Sequence, residues 1–263
     1  MKKFFSIVCA AALVFAIASC SKTDNSKVLK IGATPEPHAK ILEKIKDNFK
    51  AAGYDLKIVE FEDYSIPNDA LLSGEIDANF FQHVPYLEAN TKWESLVPAF
   101  GVHVEPFGLY SQKYSSLDEI PVGADIAIPN DPTNGGRALL LLQAAGLIKL
   151  REDAGLEATD IDIVENPRNI RIQMLDAAQL PRILPDVGAA AINGNYALQA
   201  SLVPSKDALI LEGADAPYVN VVVVRKGDEN DPRIVALRKV LLSDTVRDYI
   251  VAEWPDGNIV PVF

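Results

Sequence analysis

The chain has 263 residues, a formal charge of -11, two cysteines and three histidines. So acidic a balance argues against a nucleic-acid partner and favours solubility, and two cysteines leave little scope for a disulfide framework or a thiolate zinc site. Length alone allows one large or two modest domains.

Lys2 and Lys3 precede an apolar run from Phe4 to Ala18, the pattern of a secretory signal over residues 1–19. The run is short for a membrane span. The stretch "IASC" resembles the bacterial lipobox, which implies cleavage before Cys20 and diacylation of its thiol. Acyl chains contribute about 0.8 kcal/mol per buried methylene, so two or three of them hold a protein firmly on a bilayer. Residues 20–28, including "SKTDNSK", then form a lipidated tether, and the body is expected outside the cytoplasm on a bacterial membrane. Removing residues 1–19, which hold Lys2, Lys3 and no acid, takes the charge from -11 to -13. Cys9 leaves with the signal and lipid blocks Cys20, so no thiol remains for catalysis.

Strand-like and helix-like segments then alternate. "VLKIGAT" reads as a strand, "PHAKILEKIKDNFKAAG" as an amphipathic helix closed by Gly53, and "YDLKIVEFE" as a second strand. "PNDALLSGE" predicts a short helix, "IDANFF" a strand and "VPYLEANTKW" another helix. A second series runs through "ADIAIPN" as strand, a helix carrying Arg137, "DIDIVEN" as strand, "IRIQMLDAAQLPRIL" as helix and "VGAAAIN" as strand. "YVNVVVVRK" is apolar almost throughout, as a strand buried on both faces should be. This rhythm predicts an α/β fold with mostly parallel sheets. Two series suggest two lobes, 29–110 plus 218–263 and 111–217, with the helices from Asp231 onward returning to the first. "GVHVEPFGLYSQKYSSLDEIP" and "EGADAPYVN" are the candidate crossovers of a hinge beside an interlobe cleft.

Ligands of such sheets lie beyond the carboxyl ends of the strands. That places Tyr64, Phe80, Phe81, His83, Tyr86, Asn134, Arg137, Asn193 and Asn220 near one region. Phe80 and Phe81 are adjacent on a strand, so one should face a core and the other the cleft. Arg137 begins a helix, where the dipole disfavours a cation unless an anion sits nearby. A guanidinium grips a carboxylate in a fork, amide oxygens accept from an ammonium, and aromatic rings offer a slot for a polarizable thioether. The set fits an amino acid with an unbranched apolar side chain.

The segments "DYSIPNDALLSGEIDANFFQHVPYLE", "IAIPNDPTNGGRALLLLQAAGLIKL", "AAQLPR", "AAINGNYAL" and "PYVNVVVVR" closely resemble the methionine-binding lipoproteins that serve methionine ABC importers. The resemblance covers nearly all of the chain beyond the signal. It implies a type II periplasmic-binding-protein fold that holds L-methionine between its lobes and delivers it to a membrane permease driven by an ATPase subunit. Arg137 would bind the ligand carboxylate, Asn193 and Asn220 would orient the polar end, and Tyr64, Phe81, His83 and Tyr86 would line the rest, with Asn134 and Asn68 also matching. Gly188 stands where an acidic residue is more usual, and Asp176 where a glutamate is common. No cofactor or resident metal is expected. Two other readings of the cleft are an enzyme using His83 with Asp131 or Glu36 as an acid/base pair, and a metal receptor using His38, His83 and His103. No G-x-S-x-G elbow, H-E-x-x-H pair or phosphate loop supports the first, and no compact ligand spacing supports the second.

Overall fold

A computed structural model describes residues 25–213 and 217–263. The expected signal segment and Cys20 lie outside the described residues. The first lobe opens with β1 (Val28–Ala33), α1 (Lys40–Ala51), β2 (Asp55–Glu60), α2 (Pro67–Leu72), β3 (Ala78–His83), α3 (Val84–Glu88) and β4 (Leu96–Val104). The second contains β5 (Gly108–Tyr110), β6 (Asp125–Pro129), α4 (Pro132–Ala144), β7 (Lys149–Leu150), β8 (Ile163–Glu165), β9 (Arg171–Leu175), α5 (Leu180–Ile183), β10 (Ala189–Ile192), α6 (Gly194–Gln199), α7 (Pro204–Asp207) and β11 (Ala208–Leu211). The chain then returns as β12 (Val219–Arg225), α8 (Pro232–Leu241), α9 (Asp244–Glu253) and β13 (Val260–Pro261).

Two large sheets result, in the orders β13-β4-β12-β3-β1-β2 and β11-β5-β10-β6-β9, with β7 and β8 forming a separate two-stranded sheet. One face of the first is sealed by Ile41, Ile45 and Phe49 of α1 together with Leu237, Leu241 and Ile250 of the last two helices. These positions in α1 fall at helical spacing, which is why that segment folds as an amphipathic helix. Gly53 follows it with φ +96, a conformation glycine adopts without a side-chain clash. In the second lobe Leu139 and Leu142 of α4 cover Ile126 and Ile128 of β6. Leu180 and Tyr196 close the opposite side.

Both sheets are mixed, which corrects the expectation of mostly parallel ones. The βαβ units give parallel pairs β1–β2, β1–β3, β6–β9 and β6–β10. The strands beside the crossovers run the other way: β12 is antiparallel to β3 and β4, and β5 to β10 and β11. A strand re-entering its lobe from the neighbouring one arrives without a helical crossover to reverse it. Gly108–Tyr110 pairs with β10 in the second sheet.

The segment 170–184 is not one helix. Arg171–Leu175 is the edge strand β9, and only Leu180–Ile183 at its end is α-helical. Ile170 and Ile172 alternate with Arg171 and Gln173, a period of two that the later "DAAQLP" obscures. Arg171 fixes the register, its Nε and Nη2 bonding Asp125 at 2.6 and 2.9 Å. "DIDIVEN" is also displaced, forming a 3-10 turn and then β8, which pairs with β7 outside the main sheet.

Gly135 and Gly136 weaken helix α4 intrinsically, yet packing requires the second. A Cβ on Gly136 would lie 2.2 Å from the Leu156 carbonyl oxygen and 2.8 Å from the Ala158 nitrogen. Gly136→Ala is therefore expected to lower stability by about 1–3 kcal/mol, despite alanine's better helix propensity. Chemical denaturation measures it, and an unchanged or raised midpoint would contradict this packing.

Candidate functional site

Tight turns and helix starts at the strand ends place the side chains. After β2 the chain turns at Tyr64; β3 carries Phe81, Gln82 and His83 into α3, where Tyr86 lies one turn on. Phe80 enters the apolar core and Phe81 the cleft, as their adjacency on a strand requires. From the second lobe come Asn134 and Arg137 on α4, and Asn193, Gly194 and Asn195 where β10 gives way to α6. In β12, Asn220 stands opposite His83 of β3 and His103 of β4. All eight residues expected at the site, Tyr64, Phe81, His83, Tyr86, Asn134, Arg137, Asn193 and Asn220, line one small cavity between the sheets.

Arg137 is buried, at 4% exposure, so it is not part of a solvated helix face. Because α4 begins at Pro132, Arg137 lies on the second turn, and burial, rather than the helix dipole, dictates its need for an anion. The protein itself supplies one. Nε bonds both Glu212 carboxylate oxygens at 2.9 and 3.0 Å, and Nη2 bonds Glu212 Oε2 at 2.5 Å and the Glu105 carbonyl at 3.0 Å. The Tyr218 ring stacks on the guanidinium at 4.0 Å and Phe107 lies at 4.9 Å. The guanidinium thus has an anion within the protein itself, and these bonds engage Nε and Nη2 but not Nη1.

Three amides are fixed by their neighbours. Asn134 Nδ2 donates to both oxygens of Asp131 at 3.0 Å, and its Oδ1 accepts from Asn193 Nδ2 at 2.8 Å and contacts His83 Nε2 at 3.4 Å. Asn195 Oδ1 accepts from the Tyr64 hydroxyl at 2.5 Å. This leaves Asn193 Oδ1 and Asn195 Nδ2 buried without partners, one an acceptor and the other a donor, both on residues lining the cavity. Tyr64, Phe81 and Tyr86 form an aromatic wall with ring centroids 5.8–6.0 Å apart. Burial and the Arg137 charge push His83 down to about 3, so it is neutral at physiological pH.

Glu105, in the first crossover, was not singled out from sequence. Its Oε1 lies 2.8 Å from His103 Nε2 and 3.2 Å from His38 Nε2, and its Oε2 accepts the Asn195 backbone N–H at 2.8 Å. His38 also meets Asn220 Oδ1 at 3.1 Å. Burial raises the Glu105 carboxyl above the usual range, and lowers His38 to about 4 and His103 to about 3. His38, His103 and Glu105 are the one trio of possible metal ligands among the described residues, their donor atoms within 4.8 Å of one another. The His103 imidazole already hydrogen-bonds Glu105 Oε1, while the hydrogen bond of His38 Nε2 goes to Asn220 Oδ1. His83, the third histidine of the metal reading, belongs instead to the Asn134 network.

Gln82, Glu105, Gly194 and Asn195 are the lining residues that the sequence did not single out. Asn68 lies behind the wall, bonding Gln82 and Asn79. Gly188 and Asp176 are both absent from the lining. The Gly188 position lies against Ala124 and Asp125, where a Cβ would approach within 3.0 Å. His83 does not bond Asp131 directly, because Asn134 stands between them.

Comparison with known proteins identifies this architecture. The model of the NlpA lipoprotein family matches residues 29–263. The chain belongs to the NlpA lipoprotein family. Within it, the chain is 41% identical to membrane lipoprotein TpN32 of Treponema pallidum over 252 residues, covering 95% of this chain and 94% of that one. It is likewise 41% identical to the D-methionine-binding lipoprotein MetQ of Escherichia coli, with 93% of each chain covered. A nutrient binding protein from Burkholderia cenocepacia, solved bound to methionine, superposes with a TM-score of 0.86 at 44% identity, over 89% of this chain and all of that one. The family fold is therefore that of solved methionine-binding proteins, two α/β lobes around a cleft.

Proposed function

We propose that this protein is the substrate-binding lipoprotein of an ABC importer, capturing L-methionine or a closely related amino acid between its lobes. The observation that carries the reading is the cavity itself, where an unpartnered amide oxygen, an unpartnered amide N–H₂ and a partly engaged guanidinium adjoin an aromatic wall. A zwitterion with a thioether tail complements each element. The methionine bound by the Burkholderia relative and the names of the MetQ relatives support the same choice. Arg137 Nη1 and Asn195 Nδ2 face the carboxylate, Asn193 and Asn220 orient the polar end, and Tyr64, Phe81, His83 and Tyr86 enclose the tail.

Contacts from both lobes stabilise the closed form, and ligand binding shifts the population only by its differential affinity for that form. The closed protein docks on a permease whose ATPase drives release, while acyl chains on Cys20 hold it at the membrane. The role is that of a carrier, and bound methionine leaves unchanged.

Calorimetric titration with L-methionine, D-methionine and norleucine tests this. One site per chain, with methionine preferred over norleucine and recovered intact, is expected. No heat with any of these amino acids, or conversion of methionine to a product, would overturn the reading.

A further inference from the structure

We propose that Asp131, which lies outside the cavity wall, is a positioning residue that sets the polarity of the ligand's ammonium site through Asn134 and Asn193. The inference rests on the reading of the cleft as an amino-acid site and adds a determinant of its selectivity.

A carboxamide can present either its oxygen or its N–H₂, and its neighbours decide which. An ionised carboxylate only accepts. Asp131 accepts the Asn134 backbone N–H at 2.9 Å, the Thr133 hydroxyl at 3.2 Å and the Asn134 side-chain Nδ2 at 3.0 Å on both oxygens. Asn134 must therefore turn its Nδ2 towards Asp131 and its Oδ1 away. That oxygen receives Asn193 Nδ2 at 2.8 Å. It also receives His83 Nε2 at 3.4 Å, and the other ring nitrogen of His83 accepts the Tyr86 N–H at 3.2 Å, which puts the imidazole proton on Nε2.

The chain of choices ends at Asn193 Oδ1, an acceptor on a residue 5% exposed, with no partner in the protein. A buried acceptor left unpaired is costly, and a cationic N–H donor relieves it most. An ammonium is the part of a zwitterion that does this. Reversing the first link reverses the last, since each amide has one donor end and one acceptor end.

The test is Asp131→Asn, titrated with methionine and with 4-(methylthio)butanoate, which has the same tail and carboxylate but no ammonium. The new amide keeps an oxygen for the helix cap but sets its own N–H₂ against Asn134, favouring turnover of Asn134 and then of Asn193. The wild-type protein is expected to prefer methionine by about tenfold or more, and Asp131→Asn to lose most of that preference while its affinity for 4-(methylthio)butanoate changes little. A purely structural role for Asp131 would weaken both ligands alike and leave the ratio unchanged, which overturns the inference and spares the proposed function. Absence of methionine binding in the wild type overturns both. If Asp131→Asn loses its native circular dichroism, Asp131→Ser carries the same comparison, because serine caps a helix but cannot supply the two oxygens that hold Asn134.

Discussion

Arg137→Ala is expected to abolish detectable methionine binding and to destabilise the fold at the same time. The guanidinium is the partner of Glu212, whose side chain is 16% exposed, so truncation strands a largely desolvated carboxylate as well as removing the ligand's cation. Breaking such a pair by deleting one member costs about 3 kcal/mol or more, with the lower value apt here because Glu212 retains some water contact. A guanidinium that served only the ligand could be removed with the fold intact; the Glu212 pair is why stability falls as well. Two further variants separate the effects. Arg137→Ala combined with Glu212→Ala should regain part of the stability, because neither charge is left alone, yet still fail to bind. Arg137→Lys keeps the charge but cannot reach Glu212, the Glu105 carbonyl and a ligand with one fork, so it should bind weakly. Calorimetry and thermal denaturation measure these outcomes, and near-normal affinity in Arg137→Ala would contradict the role given to this residue.

The second large effect is acid sensitivity. His38, His83 and His103 have folded-state values of about 4, 3 and 3 against an ordinary 6.5, chiefly because burial disfavours the imidazolium. Between about pH 6.5 and 3 the unfolded chain thus binds more protons than the folded one, and stability falls as the pH falls through that window. Burial raises the carboxyls of Glu105 and Asp131, which works the other way by favouring proton uptake in the folded protein. Three groups outweigh two, and the net slope near pH 5 is about 1–4 kcal/mol per pH unit. The melting temperature should drop steeply from pH 7 to pH 4.5. A flat or rising profile would show that the imidazoles are charged, and stably so, in the folded state.

Much of the fold was legible in the sequence because alternation and helical spacing are local signals. The "YVNVVVVRK" strand lies between two partners, the helix closed by Gly53 packs as its apolar stripe requires, and Phe80 and Phe81 separate into core and cleft. The segment 170–184 was misread because a five-residue edge strand runs directly into two short helical turns, and the whole carries a mixed period. The eight candidate residues meet in one cavity, but their internal partners were invisible. Glu212 lies 75 residues from Arg137 along the chain, and Glu105 lies 90 from Asn195. Only crossover geometry unites them. One signal was available: Glu105 is a lone acid in the apolar run "GVHVEPFGLY", a place where a carboxylate needs buried donors. The histidines lacked compact spacing, yet the fold joins two of them to this glutamate, a proximity that chain separation conceals.

The most direct test of the account is a crystal structure of the protein grown with methionine. We expect one methionine between the lobes, its carboxylate on Arg137 Nη1, its ammonium on Asn193 Oδ1 and its thioether against Tyr64, Phe81 and Tyr86. Methionine bound elsewhere, or an interlobe cavity filled by a ligand with no ammonium and no contact to Arg137, would contradict it.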